Sequence, residues 1–225
     1  MSYYIDLEKI SIDDYKSILR STNFLPSWEI LKDNIDGNLD VIKSHAISNL
    51  DELHNAIKFK KKVPAFAQQC NLSENYLNVL RRVINGYRPK PNRIQDFPNV
   101  NIQTVEKLEA LGIKNTLHLF EKVLSATSRK VLAQESGIHK KEILTLTKLA
   151  DLSRVKWVNH TFANVLLLAG YDTAEKVANA NPEELYETVK KLNAEKKLFP
   201  AHIGLNDMKR VIDSAKTLTF DIQYE

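Results

Sequence analysis

The stretch Leu108-Glu109-Ala110-Leu111-Gly112-Ile113-Lys114-Asn115-Thr116-Leu117-His118-Leu119 decides the fold. Val105, Leu108 and Leu111 recur at helical spacing, so the segment before Gly112 reads as an amphipathic helix. Glycine can take the left-handed conformation that ends a helix, and the apolar Ile113 after it can fold back onto the last turn. Asn115 is then a fresh capping residue for a second helix. The same phrase recurs 58 residues on: Val165, Leu166 and Ala169 precede Gly170-Tyr171, and Asp172 or Thr173 caps the next helix. Two helix–glycine–helix corners are therefore written into the chain.

A third copy lies upstream of the first corner at an offset of 66. Leu39, Ile42, Ile47, Asn49 and Leu53 align with Val105, Leu108, Ile113, Asn115 and Leu119. The alignment continues without a gap through Phe66-Ala67-Gln68-Gln69, opposite Leu132-Ala133-Gln134-Glu135, and on to Arg88 opposite Arg154. Internal repetition of this kind indicates stacked supersecondary units sharing a core. Other helix starts are locally explicit. Ser11 precedes Asp14 at capping spacing, and Ser73 precedes the stripe Tyr76, Leu77, Leu80, Val83, Ile84. Asn181-Pro182-Glu183-Glu184 combines a cap, a proline at the first helical position and acids at the positive end of the dipole. The last helix presents Leu205, Met208, Val211, Ile212, Ala215 and Leu218 on one face, entered at Gly204 or Asn206.

The expected fold is all-α. It divides into an arm (1–27), three helical units (28–93, 94–155 and 156–218) and a tail (219–225), with Pro89, Pro91 and Asn92 marking the first boundary. Tyr3-Tyr4-Ile5-Asp6-Leu7 and Phe220-Asp221-Ile222-Gln223-Tyr224 alternate like strands and predict a minor terminal β ribbon.

Composition narrows the function classes. One cysteine, Cys70, excludes an internal disulfide framework and a multi-cysteine metal site; it reads as a buried hydrophobe. The six histidines show no metal-ligand spacing, and no glycine-rich phosphate loop or nucleophile elbow is present. The expectation is a non-enzymatic protein without a cofactor. The longest apolar run, Val165–Ala169, is far too short for a bilayer, and the first residues lack a signal-peptide pattern. No membrane partner and a cytoplasmic location are expected.

Net charge is +4, but it is unevenly spread. Residues 1–57 hold five Lys/Arg and ten Asp/Glu, a balance of −5; residues 58–98 hold nine and two, a balance of +7. Lys58, Lys60, Lys61, Lys62, Arg81 and Arg82 lie in that basic segment, with Arg88, Lys90 and Arg93 in the proline-containing linker. Lys140 and Lys141 open a helix after Gly137-Ile138, and Lys114 sits beside the cap Asn115. If Lys58, Lys60, Lys61, Lys62, Arg81, Arg82, Lys114, Lys140 and Lys141 converge, they form a phosphate-binding face. The bland alternative is a solvated surface balancing the acidic arm. Trp28 and Trp157 read as packing residues rather than base-stacking platforms.

Leu108–Leu119 and Leu168–Val177 resemble helix-hairpin-helix units of DNA-repair proteins, recombinase N-terminal domains and the RNA polymerase alpha C-terminal domain. With Ala150-Asp151-Leu152-Ser153-Arg154-Val155 and Asn193–Leu198, residues 28–218 resemble an uncharacterised bacterial domain family built on such units. The resemblance implies tandem helix-hairpin-helix-like (SAM-like) repeats and binding of double-stranded DNA through backbone N–H groups and phosphates. The loops where that class carries hairpin glycines read Phe97-Pro98-Asn99-Val100 and Val155-Lys156-Trp157-Val158, without glycine. Degraded hairpin chemistry is therefore expected, and the competing reading is a module that binds another protein.

Overall fold

A computed structural model describes residues 2–224. The chain is all-α, and the described residues form helices and turns with no strand. It divides at Arg88–Pro89 into two compact units: Asp6–Arg88, and the chain from Pro89 onward together with the segment before Asp6.

In the Asp6–Arg88 unit, α1 (Ile12–Ser21) is capped by Ser11, whose Oγ accepts from the Asp14 N–H at 3.0 Å. It packs against α2 (Ile35–Ser44). The acids of this pair are answered within it: Lys16–Asp40, Arg20–Asp36 and Lys43–Asp13 each close at 2.5 Å. Then come α3 (Leu50–Ile57), α4 (Val63–Cys70) and α5 (Glu74–Asn85). Ser73 caps α5, and Tyr76, Leu77, Leu80, Val83 and Ile84 are buried.

The second unit begins with α6 (Ile102–Ala110), α7 (Thr116–Phe120), α8 (Ala126–Ser136) and α9 (Lys140–Leu152). It continues with α10 (His160–Leu168), α11 (Ala174–Ala178), α12 (Pro182–Lys196) and α13 (Leu205–Ala215). One apolar core runs from Ile94 to Ala215. Thr173, rather than Asp172, caps α11, and Gly204 enters α13.

Both glycine corners form as expected. Gly112 and Gly170 have φ of 79° and 87°, and the next N–H reaches back five residues: Ile113 to Leu108 and Tyr171 to Leu166. That is the six-to-one bond of a left-handed helix cap. A Cβ at either glycine would meet nothing within 4 Å, so an alanine there is penalised by conformation alone. Gly112→Ala and Gly170→Ala should each cost about 1–2 kcal/mol in denaturant unfolding. A change below about 0.3 kcal/mol would deny the left-handed cap.

At the upstream offset of 66, Ala46 and Asn71 take positive φ (59° and 50°) where Gly112 and Gly137 do (79° and 62°). An isolated antiparallel bridge ends at Asn49 in one unit and at Asn115 in the other.

The terminal ribbon does not form. Instead, two buried arginines donate to backbone carbonyls of the two terminal segments. Arg154 donates to Tyr3 O at 3.1 Å and Thr219 O at 2.8 Å, and Arg129 to Gln223 O at 2.7 Å. Tyr3 and Ile222 pack with Phe120, over whose ring the Arg154 guanidinium lies at 4.5 Å. Backbone polar groups must find partners, and guanidinium forks supply them without strand pairing.

Candidate functional site

Two short turns precede α6 and α10, 58 residues apart, and they share one hydrogen-bond pattern. In the first, Phe97 N–H donates to Ile94 O and Val100 N–H to Phe97 O. In the second, Val155 N–H donates to Leu152 O and Val158 N–H to Val155 O. The third residue of each four-residue turn has positive φ: 64° at Asn99 and 78° at Trp157. Negative then positive φ at the two central residues is the type II pattern, in which proline suits the first position and glycine or asparagine the second. Pro98-Asn99 carries that signature, and loss of glycine did not cost the turn its left-handed residue. At the second turn the sequence offers no such signal, because a bulky residue with positive φ is a genuine outlier.

Phe97, Val155 and Val158 are buried in the shared core and pull each turn down onto it. Phe97 also meets the ring of His160 edge-on, with centroids 6.3 Å apart. Phe97 opens the first turn and His160 is the first helical residue after the second. The two turns therefore stand side by side.

Asn101 caps α6 through the Gln103 N–H at 3.0 Å, and Asn159 caps α10 through the Phe162 N–H at 2.9 Å. The N–H groups of Asn99, Asn101 and Ile102, and of Asn159, His160 and Thr161, donate to no group of the described residues. Adjacent sets of unpartnered N–H groups at two helix starts form a surface suited to anionic oxygens. Neither 97–103 nor 155–161 contains an acid.

Trp157 is 46% exposed, which corrects the expectation that it packs in a core. Its ring carries the Lys156 ammonium at 4.9 Å. Burial pushes the Lys156 ammonium down from the ordinary 10.5 to about 8. The unfolded chain thus holds a proton that the folded chain releases between about pH 8 and pH 10.5. Stability contributed by this site rises with pH across that window. Urea unfolding at pH 7.5, 9 and 10.5 should show this rise, and Lys156→Met should remove it. An unchanged slope in the variant would place the titration elsewhere.

The nine basic residues named from the sequence fall into separate groups. Lys60–Lys62 form a 3-10 turn just before α4, with Lys60 and Lys61 exposed. Asn85 at the end of α5 donates to Lys58 O at 3.2 Å, and Arg81 lies one turn upstream of Asn85. Lys58 donates to Asn55 Oδ1 and Lys62 to Asn55 O, both at 3.0 Å; Arg82 is exposed. None of these six is in an ion pair among the described residues, so the acidic arm does not neutralise them by direct contact.

The other three lie in the second unit. Lys140 and Lys141 are exposed on the first turn of α9, capped by His139. Lys107 of α6 reaches Gly137 O beside them at 3.1 Å. Lys114 joins Lys90 and Arg93 around a groove of about 360 Å³, with Glu109 as its only acid. The bridge between Arg93 and Asn115 brings the linker against the glycine corner and so assembles this groove. The groove below the other corner, about 420 Å³, is lined by Glu175, Glu184 and Lys176, and Lys176 is already paired with Asp172, so this groove suits an anion less well. Asp172 there pairs with Lys148 and with Lys176.

Among the described residues no cluster of metal-ligating side chains occurs, and no helix is long and apolar enough to cross a membrane. Cys70 is buried, and burial raises its thiol pKa. A family profile described as a domain of unknown function, DUF4332, matches residues 98–218. No curated protein and no solved structure matches the chain.

Proposed function

The chain belongs to the DUF4332 family, and from that premise, which carries no activity, we propose a non-enzymatic protein that binds duplex nucleic acid through its phosphates. In this reading the turns at Phe97–Val100 and Val155–Val158 are the hairpins of two helix-hairpin-helix-like units. The observation that carries it is their pairing: matched left-handed turns, brought together at Phe97 and His160, each opening onto helix-start N–H groups. A phosphate oxygen accepts from such groups without any base being read. Lys90, Arg93 and Lys114 add a cationic groove at the far end of α6, roughly 13 Å away at 1.5 Å per helical residue. Lys140 and Lys141, and the Lys58–Lys62 turn with Arg81 and Arg82, supply further cations that form no ion pair among the described residues.

The test is fluorescence anisotropy of a short labelled duplex. Binding is expected at about 50 mM salt, with a steep loss by about 200 mM and little dependence on sequence. No binding at low salt ends this reading.

A second reading, a module for a protein partner, is favoured by Ile102, 64% exposed at the start of α6, and by exposed Val131 and Leu168. Single exposed apolar residues are common, so they weigh less than the paired turns. Affinity capture with and without nuclease separates the two: a partner retained after nuclease supports the protein module.

A further inference from the structure

Trp157 holds a left-handed conformation that a bulky L-residue rarely adopts, at a turn apex where asparagine serves in the neighbouring copy. Strain of this kind persists where the side chain is needed for something else. Packing is a poor account of that need, because nearly half of the residue is exposed. The indole is instead presented at the surface with a lysine ammonium over its ring, in a stretch from Val155 to Thr161 that contains no acid. Asn99 stands on the neighbouring turn, and the caps Asn101 and Asn159, whose Oδ1 atoms accept from the Gln103 and Phe162 N–H groups, follow the two turns directly. A cation, a half-exposed indole and nearby amides match a partner with negative charge and flat π surfaces.

We propose that Trp157 is a stacking platform for an unpaired nucleobase, so that the protein engages single-stranded or frayed nucleic acid as well as duplex backbone. This rests on the nucleic-acid reading above and adds a substrate preference to it. A phosphate-only binder gains nothing from an indole at this position. A base-stacking binder gains sequence-tolerant affinity, because every base has a π face.

The experiment uses the full chain, an oligothymidine single strand and a blunt duplex. Trp28→Phe leaves Trp157 as the only indole, and its emission is expected to be quenched as the single strand saturates. Trp157→Asn, which places in this turn the residue that its counterpart already uses, should keep or raise the melting temperature. It should weaken single-strand binding roughly 5- to 150-fold, a larger loss than any it causes in duplex binding. Trp157→Phe should retain most of the single-strand affinity. Equal single-strand binding by wild type and Trp157→Asn, with duplex binding intact, overturns the stacking role and leaves the phosphate reading standing. Should Trp157→Asn fail to fold, absence of quenching in Trp28→Phe at saturating single strand overturns it equally. Failure of wild type to bind either nucleic acid overturns both.

Discussion

Replacing Arg154 by methionine should destabilise the protein by about 3–5 kcal/mol, the cost of stranding one half of a buried ion pair. Arg154 is 2% exposed and Asp151 4%. The guanidinium donates to Asp151 Oδ1 at 2.8 Å, and the other carboxylate oxygen accepts from the Ala174 N–H and the Tyr224 hydroxyl, both at 2.9 Å. Burial and the neighbouring carboxylate push the Tyr224 phenol far up, so it stays a donor at every ordinary pH. Every polar atom in this cluster therefore has a defined task. Removal of Arg154 leaves the Asp151 charge without its cation, and the Tyr3 and Thr219 carbonyls without a donor. For a chain of this size the melting temperature should fall by roughly 6–20 °C. Asp151→Asn should be costly for the reciprocal reason, while the double variant should cost less than the sum of the two. A loss under about 1 kcal/mol for Arg154→Met would show that the guanidinium is solvated and that the tail is held by other means.

Removing the three groove cations together, as Lys90→Gln, Arg93→Gln and Lys114→Gln, should weaken duplex binding about 100-fold at physiological salt. Each phosphate contact contributes about 0.9 to the slope of log affinity against log salt, so three contacts remove roughly 2.7 from it. At about 0.15 M salt that slope corresponds to slightly more than two decades. The side chains are exposed and in no ion pair among the described residues, so the fold should not register their loss, and unfolding curves should overlay within about 0.5 kcal/mol. The same substitution at Lys60, Lys61 and Lys62 is the natural comparison. It acts on the other compact unit, and its slope tells whether that unit shares the ligand. An unchanged slope in the Lys90, Arg93, Lys114 variant would remove the groove from the interface and leave the paired turns to carry binding alone.

Local chemistry was legible wherever it reached no further than one helical turn. Gly112 and Gly170, the caps Ser11, Ser73, Asn115 and Asn181, and the stripe on α5 all act through bonds between residues two to five apart. Such signals survive in a bare sequence because the partners are written side by side. Pro98-Asn99 belongs to the same class, because proline and asparagine encode a type II turn without any glycine. The basic residues were legible as charges and not as a surface. The sequence leaves Lys90 and Lys114 24 residues apart, and tertiary contacts close that span, among them the bridge at Arg93 and Asn115 and the Asn92 N–H bond to Thr116 Oγ1.

By itself the sequence determined an all-α chain, its helix starts and stops, and the repeated glycine corners, because backbone geometry and periodic burial are short-range demands. Tertiary structure alone decided that the two turns stand together and that Trp157 lies outside the core. It also turned Arg154, one more charge in the sequence, into the buried clamp of both termini. Those outcomes depend on contacts between residues from 63 apart, at Phe97 and His160, to 151 apart, at Tyr3 and Arg154. No local pattern records which distant carbonyl or ring will be within reach once the helices have packed.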